Sequence, residues 1–327
     1  MPKSVIKPEI LIVGYGSIGA QYEEQLKKFA KNISFVSNRK VSTNHLTRED
    51  LKKKQGFYDL IIICSETNSH ISDLRLFIDF SDKFLVEKPL SQNYLSALNF
   101  NFDTNKKEIF VSSPLRFLNG FFEFKNIIDL SKEILEVEII NTSWLPSWRK
   151  RNYKETYSSD PKQGGVLLDC IHEIDLILEY FGFTYTIKSR LNTGENLLGI
   201  AVDSSAEINL KSPNRNIRVN LSFENQQLKR QISIKSSEAI IEWDLLQGVI
   251  CMSNCSKNTS EVIMKFDSLA NQRKTWLLSQ VKSIFDTNSF PKPLLFNDAL
   301  YSLKMIDAIK KSSLSGEWLN ENLKKEQ

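Results

Sequence analysis

Histidine, cysteine and long apolar runs are all scarce in this chain, and each shortage removes a class of function. Its 327 residues include three histidines and four cysteines. Cys251 and Cys255 have no second pair at metal-ligand spacing, Cys64 lies in an apolar run and Cys170 in a helical one. No zinc or other metal site is therefore expected, and the thiols read as reduced. No apolar stretch approaches the roughly 20 residues that cross a bilayer, so no membrane association is expected. The opening "MPKSVIKPEILIVGYG" runs directly into a strand without the pattern of a signal peptide, which makes the cytoplasm the expected compartment. The formal net charge of +4 comes from lysines spread along the chain. The lysines at 52–54 read as a solvated face, and no basic stripe interleaved with aromatics marks a nucleic-acid partner. What is present, 41% hydrophobic and 25% charged residues, is the balance of an ordinary globular protein, and the length implies two domains. Neither an internal repeat nor a low-complexity linker interrupts it.

The first third alternates strands and helices. "EILIVGYGSIGAQYEEQLKKF" places Gly14, Gly16 and Gly19 in the spacing GxGxxG, with an apolar strand before (Ile10 to Val13) and a helical segment after (Ala20 to Phe29). Gly14 permits a tight turn, Gly16 lets backbone approach a pyrophosphate, and Gly19 allows close helix–strand packing. The amides around Ser17 and Ile18 face the anion at the helix N-terminus. A second strand ends near Val36, where an acid would receive the ribose hydroxyls of NAD. Ser37, Asn38, Arg39 and Lys40 stand there instead, and no acid follows until Glu49. A hydroxyl followed by cations suits a 2′-phosphate, so NADP is favoured over NAD. "YDLIIICSETNSH" is a buried-strand pattern running into a polar loop that holds Ser65, Asn68 and His70, and the strand "KFLVEKPL" ends in Glu87 and Lys88. Both loops lie at carboxyl ends of strands, where doubly wound sheets bind ligands. The expected fold is α/β: a Rossmann-type doubly wound parallel sheet over residues 1–115.

Residues 116–327 read differently. A helix over roughly 118–130 and a strand "ILEVEIINTSWL" lead into an aromatic, basic loop, "PSWRKRNYKETYSSDPKQ". Later, in "NIRVNLSF", Ile217, Val219, Leu221 and Phe223 share one face, while Arg218, Asn220 and Ser222 share the other. "RQISIKSSEAIIEWDL" reads as a hairpin, and "NDALYSLKMIDAIKKSS" as a helix with Leu300, Leu303, Ile306 and Ile309 at helical spacing. These patterns predict an α+β domain with a large, mostly antiparallel open sheet, used for substrate binding and oligomerisation. Its one-sided face needs a cover of helices or a partner, so a homodimer or homotetramer is expected. Between the loop and these strands stands "GGVLLDCIHEID". The spacing predicts one helix from Gly164–Gly165 to about Phe181, ended by Gly182. Leu167, Ile171, Ile174 and Leu178 form its apolar stripe; Asp169, His172, Asp175 and Glu179 share another face. An imidazole with carboxylates one turn away is either a general base or a satisfied structural histidine.

The order of these motifs, with "EKP" about 80 residues before the histidine stretch, resembles the glucose–fructose oxidoreductase / inositol dehydrogenase family over almost the whole chain. "SETNSH" and "PLRF" (Pro114 to Phe117) are similar to further family segments. "LPSWRKRNYKETYSS" is similar to members linked with bacterial surface sugars. The resemblance implies that Lys88 stands beside the nicotinamide and the reacting hydroxyl, that His172 is the catalytic histidine with Asp169 beside it, and that Glu87 holds a loop whose Lys88–Pro89 bond is often cis. Arg149, Tyr153 and Tyr157 are the candidate substrate contacts. Many members have an aspartate four residues before the histidine, where this chain has Leu168; its acid is Asp169, three before. The implied activity is NAD(P)-dependent hydride transfer to or from a carbinol carbon of a sugar, nucleotide sugar or cyclitol. Two alternatives share the fold: a cofactor-binding sensor without catalysis, which would need neither Lys88 nor His172, and an imine or tetrapyrrole reductase.

Overall fold

A computed structural model describes residues 7–37, 45–47, 50, 56–131, 133–194, 196–213, 215–254, 256, 259–286 and 288–324. The chain divides into two compact units. One comprises the residues up to Phe117 together with Lys274–Leu300; the other comprises Leu118–Arg273 and the residues from Tyr301 onward. The boundary expected after residue 115 thus falls after Phe117, and Lys274–Leu300, expected in the second domain, returns to the first. That segment returns because it carries a strand that pairs with the last parallel strand and a helix that packs beside it.

The first unit is built on β1 (Glu9–Val13), β2 (Asn32–Val36), β3 (His45–Leu46), β4 (Leu60–Ile63), β5 (Lys83–Val86), β6 (Glu108–Val111) and β15 (Leu294–Leu295). They form one sheet in the order β15-β6-β5-β4-β1-β2-β3, all parallel except β15, which runs antiparallel to β6. Every residue of Ile10–Ile12 and Leu60–Ile63 is fully buried, as expected of a parallel sheet covered on both faces. The helices α1 (Ser17–Leu26), α2 (His70–Phe77) and α3 (Tyr94–Leu98) follow β1, β4 and β5. The returning segment contributes β15 and a further helix, Trp276–Phe285. From that helix the fully buried Gln280 accepts the Ser113 N–H at 2.8 Å. Phe285 packs on Phe29 and Phe296 on Phe100 and Phe102.

The second unit carries β7 (Glu136–Trp144), β8 (Thr184–Asn192), β9 (Ser205–Ser212), β10 (Arg215–Ser222), β11 (Glu224–Lys235), β12 (Ala239–Asp244), β13 (Val249–Asn254), β14 (Thr259–Lys265) and β16 (Leu319–Asn322). Their order is β14-β13-β12-β11-β7-β10-β9-β8-β16, and only β7 and β10 pair in parallel. The alternation seen in "NIRVNLSF" is realised: Ile217, Val219, Leu221 and Phe223 are buried. Helices cover that face. They are α4 (Phe121–Leu130), α5 (Val166–Asp169), α6 (Ile171–Phe181), the short α7 (Leu269–Gln272) and, after α8 (Trp276–Phe285) in the first unit, most of α9 (Phe296–Ser315). Phe124 of α4 packs on Trp243 of β12, the α6 residue Tyr180 donates to Phe121 O, and α9 accepts from Ser189 of β8 through Ile309 O. The opposite face is polar: Lys188, Arg190, Glu207, Asn209, Lys211, Arg218 and Asn220 are exposed along it.

Candidate functional site

The turn from β1 to α1 shows why glycine stands at three positions. Gly14 has φ +93°, and a Cβ there would lie 2.6 Å from Cys64 O and from Ser65 N. A Cβ on Gly19 would lie 2.5 Å from Gly14 O. Gly16 differs: its φ of −94° is ordinary and a Cβ would meet nothing within 4 Å. Gly14 therefore brings the turn against the end of β4 and Gly19 brings α1 against the turn, while Gly16 faces open space where a pyrophosphate can approach. Ser17, Ile18 and Gly19 form the first turn of α1, whose amides have no intrahelical acceptor and which contains no acidic residue. Beside them the Ser65 hydroxyl is buried with no hydrogen-bond partner among the described residues, the kind of group a ligand satisfies. This arrangement fits a dinucleotide. Ser37 closes β2, its carbonyl 2.8 Å from His45 Nε2; Asn38 and Arg39 lie outside the described residues.

At the end of β5 the Lys88 segment is pinned from two sides. Glu87, 8% exposed, accepts the Tyr22 hydroxyl at 2.7 Å through Oε1 and the Lys88 N–H at 3.2 Å through Oε2. Burial, reinforced by that carboxylate, pushes the Tyr22 phenol well up, so it is a permanent donor. Burial likewise pushes the Cys64 thiol up, which leaves it inert. On the other side the buried His70 ring spans two loops, with Nδ1 2.9 Å from Pro89 O and Nε2 3.1 Å from Ser65 O. Burial holds this imidazole below its usual range, although both carbonyls favour its charged form. His70 is thus a loop clamp; both its nitrogens face backbone. Asn68 is the exposed residue of the turn Thr67–Ser69 and accepts from Ser69 at 3.3 Å. The Lys88–Pro89 bond is cis.

In the second unit the histidine stretch departs from the single helix expected. It is two helices, α5 and α6, interrupted at Cys170 (φ −95°, ψ 25°). Cys170 N–H closes α5 onto Val166 O, Glu173 N–H opens α6 onto Cys170 O, and Asn141 reaches the Cys170 sulfur at 3.4 Å. His172, half-buried, therefore stands in the first turn of a new helix, and Asp169 ends the previous one. Gly182 ends α6 at φ +94° as expected. The glycine pair is a packing device. A Cβ on Gly164 would lie 2.5 Å from Tyr157 O, and one on Gly165 (φ +108°) would collide with the Asp203 carboxylate. Asp203 accepts the Leu167 N–H at 2.8 Å, and burial raises its pKa.

The carboxylates expected on one face have separate partners. Asp169 accepts the Tyr157 hydroxyl, whose pKa is driven up first by burial and then by that carboxylate. Glu179 pairs with Lys125. Glu173, which was not among them, is 2% exposed and binds Arg230 through Nε at 2.7 Å and Nη2 at 2.6 Å. The Arg149 guanidinium lies 4.9 Å from the Tyr157 ring centre, and Tyr153 donates to Leu198 O at 2.9 Å. Tyr22, Asp203 and Arg230 escaped the sequence reading. The signal for Tyr22 was a phenol among the buried positions of a helix, where it needs a polar partner; Asp203 and Arg230 match no motif.

No protein-family model matches the chain, and no curated protein matches it significantly. Solved structures do. An aldose-aldose oxidoreductase from Caulobacter crescentus, complexed with glycerol, aligns at 13% identity with TM-score 0.79 over 96% of this chain and 100% of its own. An inositol dehydrogenase homolog from Azotobacter vinelandii, complexed with NAD+, aligns at 11% identity with TM-score 0.77, over 97% and 98%. An oxidoreductase from Agrobacterium radiobacter, in complex with NAD+, L-tartaric acid and magnesium, aligns at 14% identity with TM-score 0.74, over 96% and 98%. These are oxidoreductases of the type the sequence resembles. The chain has their fold, a parallel α/β unit followed by a large, mostly antiparallel sheet. Among the described residues no helix is long and apolar enough to cross a membrane.

Proposed function

We propose that the protein is an NAD(P)-dependent oxidoreductase acting on a CH–OH group of a sugar, nucleotide sugar or cyclitol. The observation that carries this reading is the Lys88 segment, held by Tyr22 and His70 at the carboxyl edge of a sheet whose Gly16 turn is open to a pyrophosphate. The nicotinamide, when bound, supplies the hydride acceptor or donor. His172 takes or returns the hydroxyl proton, and Lys88 donates a hydrogen bond to the substrate oxygen and stabilises its alkoxide character. Asp169 contributes negative charge in the turn before His172, with Tyr157 fixing its orientation. Arg149, Tyr153 and Tyr157 belong to the substrate-facing loop. NADP is the preferred cofactor on this reading, through Ser37, Asn38 and Arg39. The resemblance extends the role to the making of surface sugars, in a cytoplasmic homodimer or homotetramer.

Turnover of a panel of sugars and cyclitols with NADP+ and NAD+ tests the reading. Lys88→Ala and His172→Ala are each expected to lower kcat by about 100-fold or more, with cofactor affinity unchanged. NADP+ is expected to bind at least about tenfold tighter than NAD+, and Arg39→Ala to remove that margin. Near-full turnover by His172→Ala would return that residue to a structural role. Cofactor binding without turnover of any substrate would favour the sensor.

A further inference from the structure

The loop between β7 and α5 carries more positive charge than it balances. Arg149, Lys150, Arg151 and Lys154 fall within six residues. Among the described residues none of the four pairs with a carboxylate. The loop's own acids are engaged locally. Asp160 accepts from the Lys162 N–H at 2.9 Å and Gln163 Nε2 at 2.8 Å, and Glu155 from Asn152 Nδ2 at 3.4 Å. Gathering four uncompensated cations costs self-repulsion, which an anionic ligand would relieve.

The same loop is firmly held and presents an aromatic face. Leu145 N–H donates to Phe223 O at 3.0 Å, and Trp148 N–H to Leu145 O at 3.1 Å. Tyr153 is tied to Leu198 and Tyr157 to Asp169, while Arg149 stacks on Tyr157. Both tyrosine hydroxyls are thus occupied within the protein, so these side chains shape the loop and leave recognition to the cations. Trp148 meets Phe223 edge-on at 5.2 Å and is still 40% exposed, next to Arg149 in the chain. Guanidinium and ammonium groups beside an exposed indole are complementary to phosphates attached to a planar base.

We propose that this loop binds the nucleoside diphosphate of a nucleotide-sugar substrate, with Arg149, Lys150 and Arg151 on the phosphates and Trp148 against the base. The proposal rests on the dehydrogenase reading and narrows its substrate. A neutral sugar or cyclitol offers hydroxyl acceptors but no negative charge to balance these cations. The loop reaches Asp169 through Tyr157, three residues before His172, so one connected stretch, residues 148–172, serves both the phosphates and the reacting sugar.

Calorimetry on the full chain saturated with NADP+, which blocks the cofactor's own pyrophosphate site, tests this with UDP-glucose, dTDP-glucose, GDP-mannose, UDP, inorganic pyrophosphate and glucose. At least one nucleotide sugar is expected to bind, more tightly than pyrophosphate and far more tightly than glucose, and to weaken as salt is raised. Lys150→Ala and Arg151→Ala combined remove two exposed side chains. They are expected to weaken that binding about tenfold or more, with the melting temperature and NADP+ affinity unchanged. The proposal fails if no nucleotide sugar binds, if pyrophosphate binds as well as the best of them, or if the double variant binds like the wild type. Turnover of a neutral sugar that depends on His172, with no nucleotide-sugar binding, would sink this proposal alone. Nucleotide-sugar binding through the loop without any turnover would sink only the catalytic reading.

Discussion

Gly14 and Gly16 are the same residue in one motif, yet the structure assigns them opposite sensitivities. Gly14→Ala puts a Cβ at positive φ and 2.6 Å from the Cys64 carbonyl. A loss of at least about 2 kcal/mol in chemical denaturation is expected. Gly16→Val has ordinary φ and open space around its Cβ, so stability is expected to hold while calorimetric binding of NADP+ and NAD+ is abolished. A binding-competent Gly16→Val protein would show that the pyrophosphate lies elsewhere. This much was legible in the spacing alone, because GxGxxG encodes backbone geometry. What the spacing could not reveal is which side chains complete the site. Tyr22 reads as one more buried position in a helix, and only the fold brings its hydroxyl to Glu87, 65 residues later.

At the scale of elements, the Lys88 segment owes its position to α1 and to the loop after β4. Tyr22→Phe deletes the donor to Glu87 Oε1 and leaves a buried carboxylate oxygen unmatched, at an expected cost of ~1–3 kcal/mol. The specific consequence is local: the Lys88 amide, bonded to Glu87 Oε2, is expected to exchange its hydrogen faster than in the wild type. Amides of β1 and β4 should slow or quicken only with global stability. Equal changes everywhere would mean that Tyr22 merely fills space. The strands and most helices around this segment were legible because their apolar periods match what they bury; α6 was legible as a helix for the same reason. The break at Cys170 was not. Leu167, Ile171, Ile174 and Leu178 keep helical spacing straight through it, and all four are buried. A pattern of burial cannot record a single residue leaving helical dihedrals where Asn141 meets the Cys170 sulfur.

At the scale of the whole molecule, ionisation of buried phenols ties stability to alkaline pH. Tyr22, Tyr157 and Tyr185 are all shifted upward, first of all by burial. Each keeps its proton when folded and loses it near pH 10 when unfolded. Their contribution is therefore fully present below about pH 10 and is lost as the pH rises from there toward the folded values. Each adds a slope of about 1.4 kcal/mol per pH unit in that window. The melting temperature is expected to stay level up to about pH 10 and then to drop steeply, less so for Tyr157→Phe; an identical drop in that variant would count against its phenol being withheld from water. The existence of two units and their character were legible from the change in strand pattern. The return of Lys274–Leu300 was not, because an amphipathic helix and a two-residue strand carry no label of the sheet they join. Vectorial synthesis turns that return into a timing constraint. The first unit cannot close β15 onto β6, seat Gln280 against Ser113, or cover Phe100 with Phe296 until the ribosome has passed residue 300. The first unit is begun before the second but cannot be finished until Leu118–Arg273 of the second has been made, so a fragment cut at the end of its parallel strands would emerge with its outer edge unsealed.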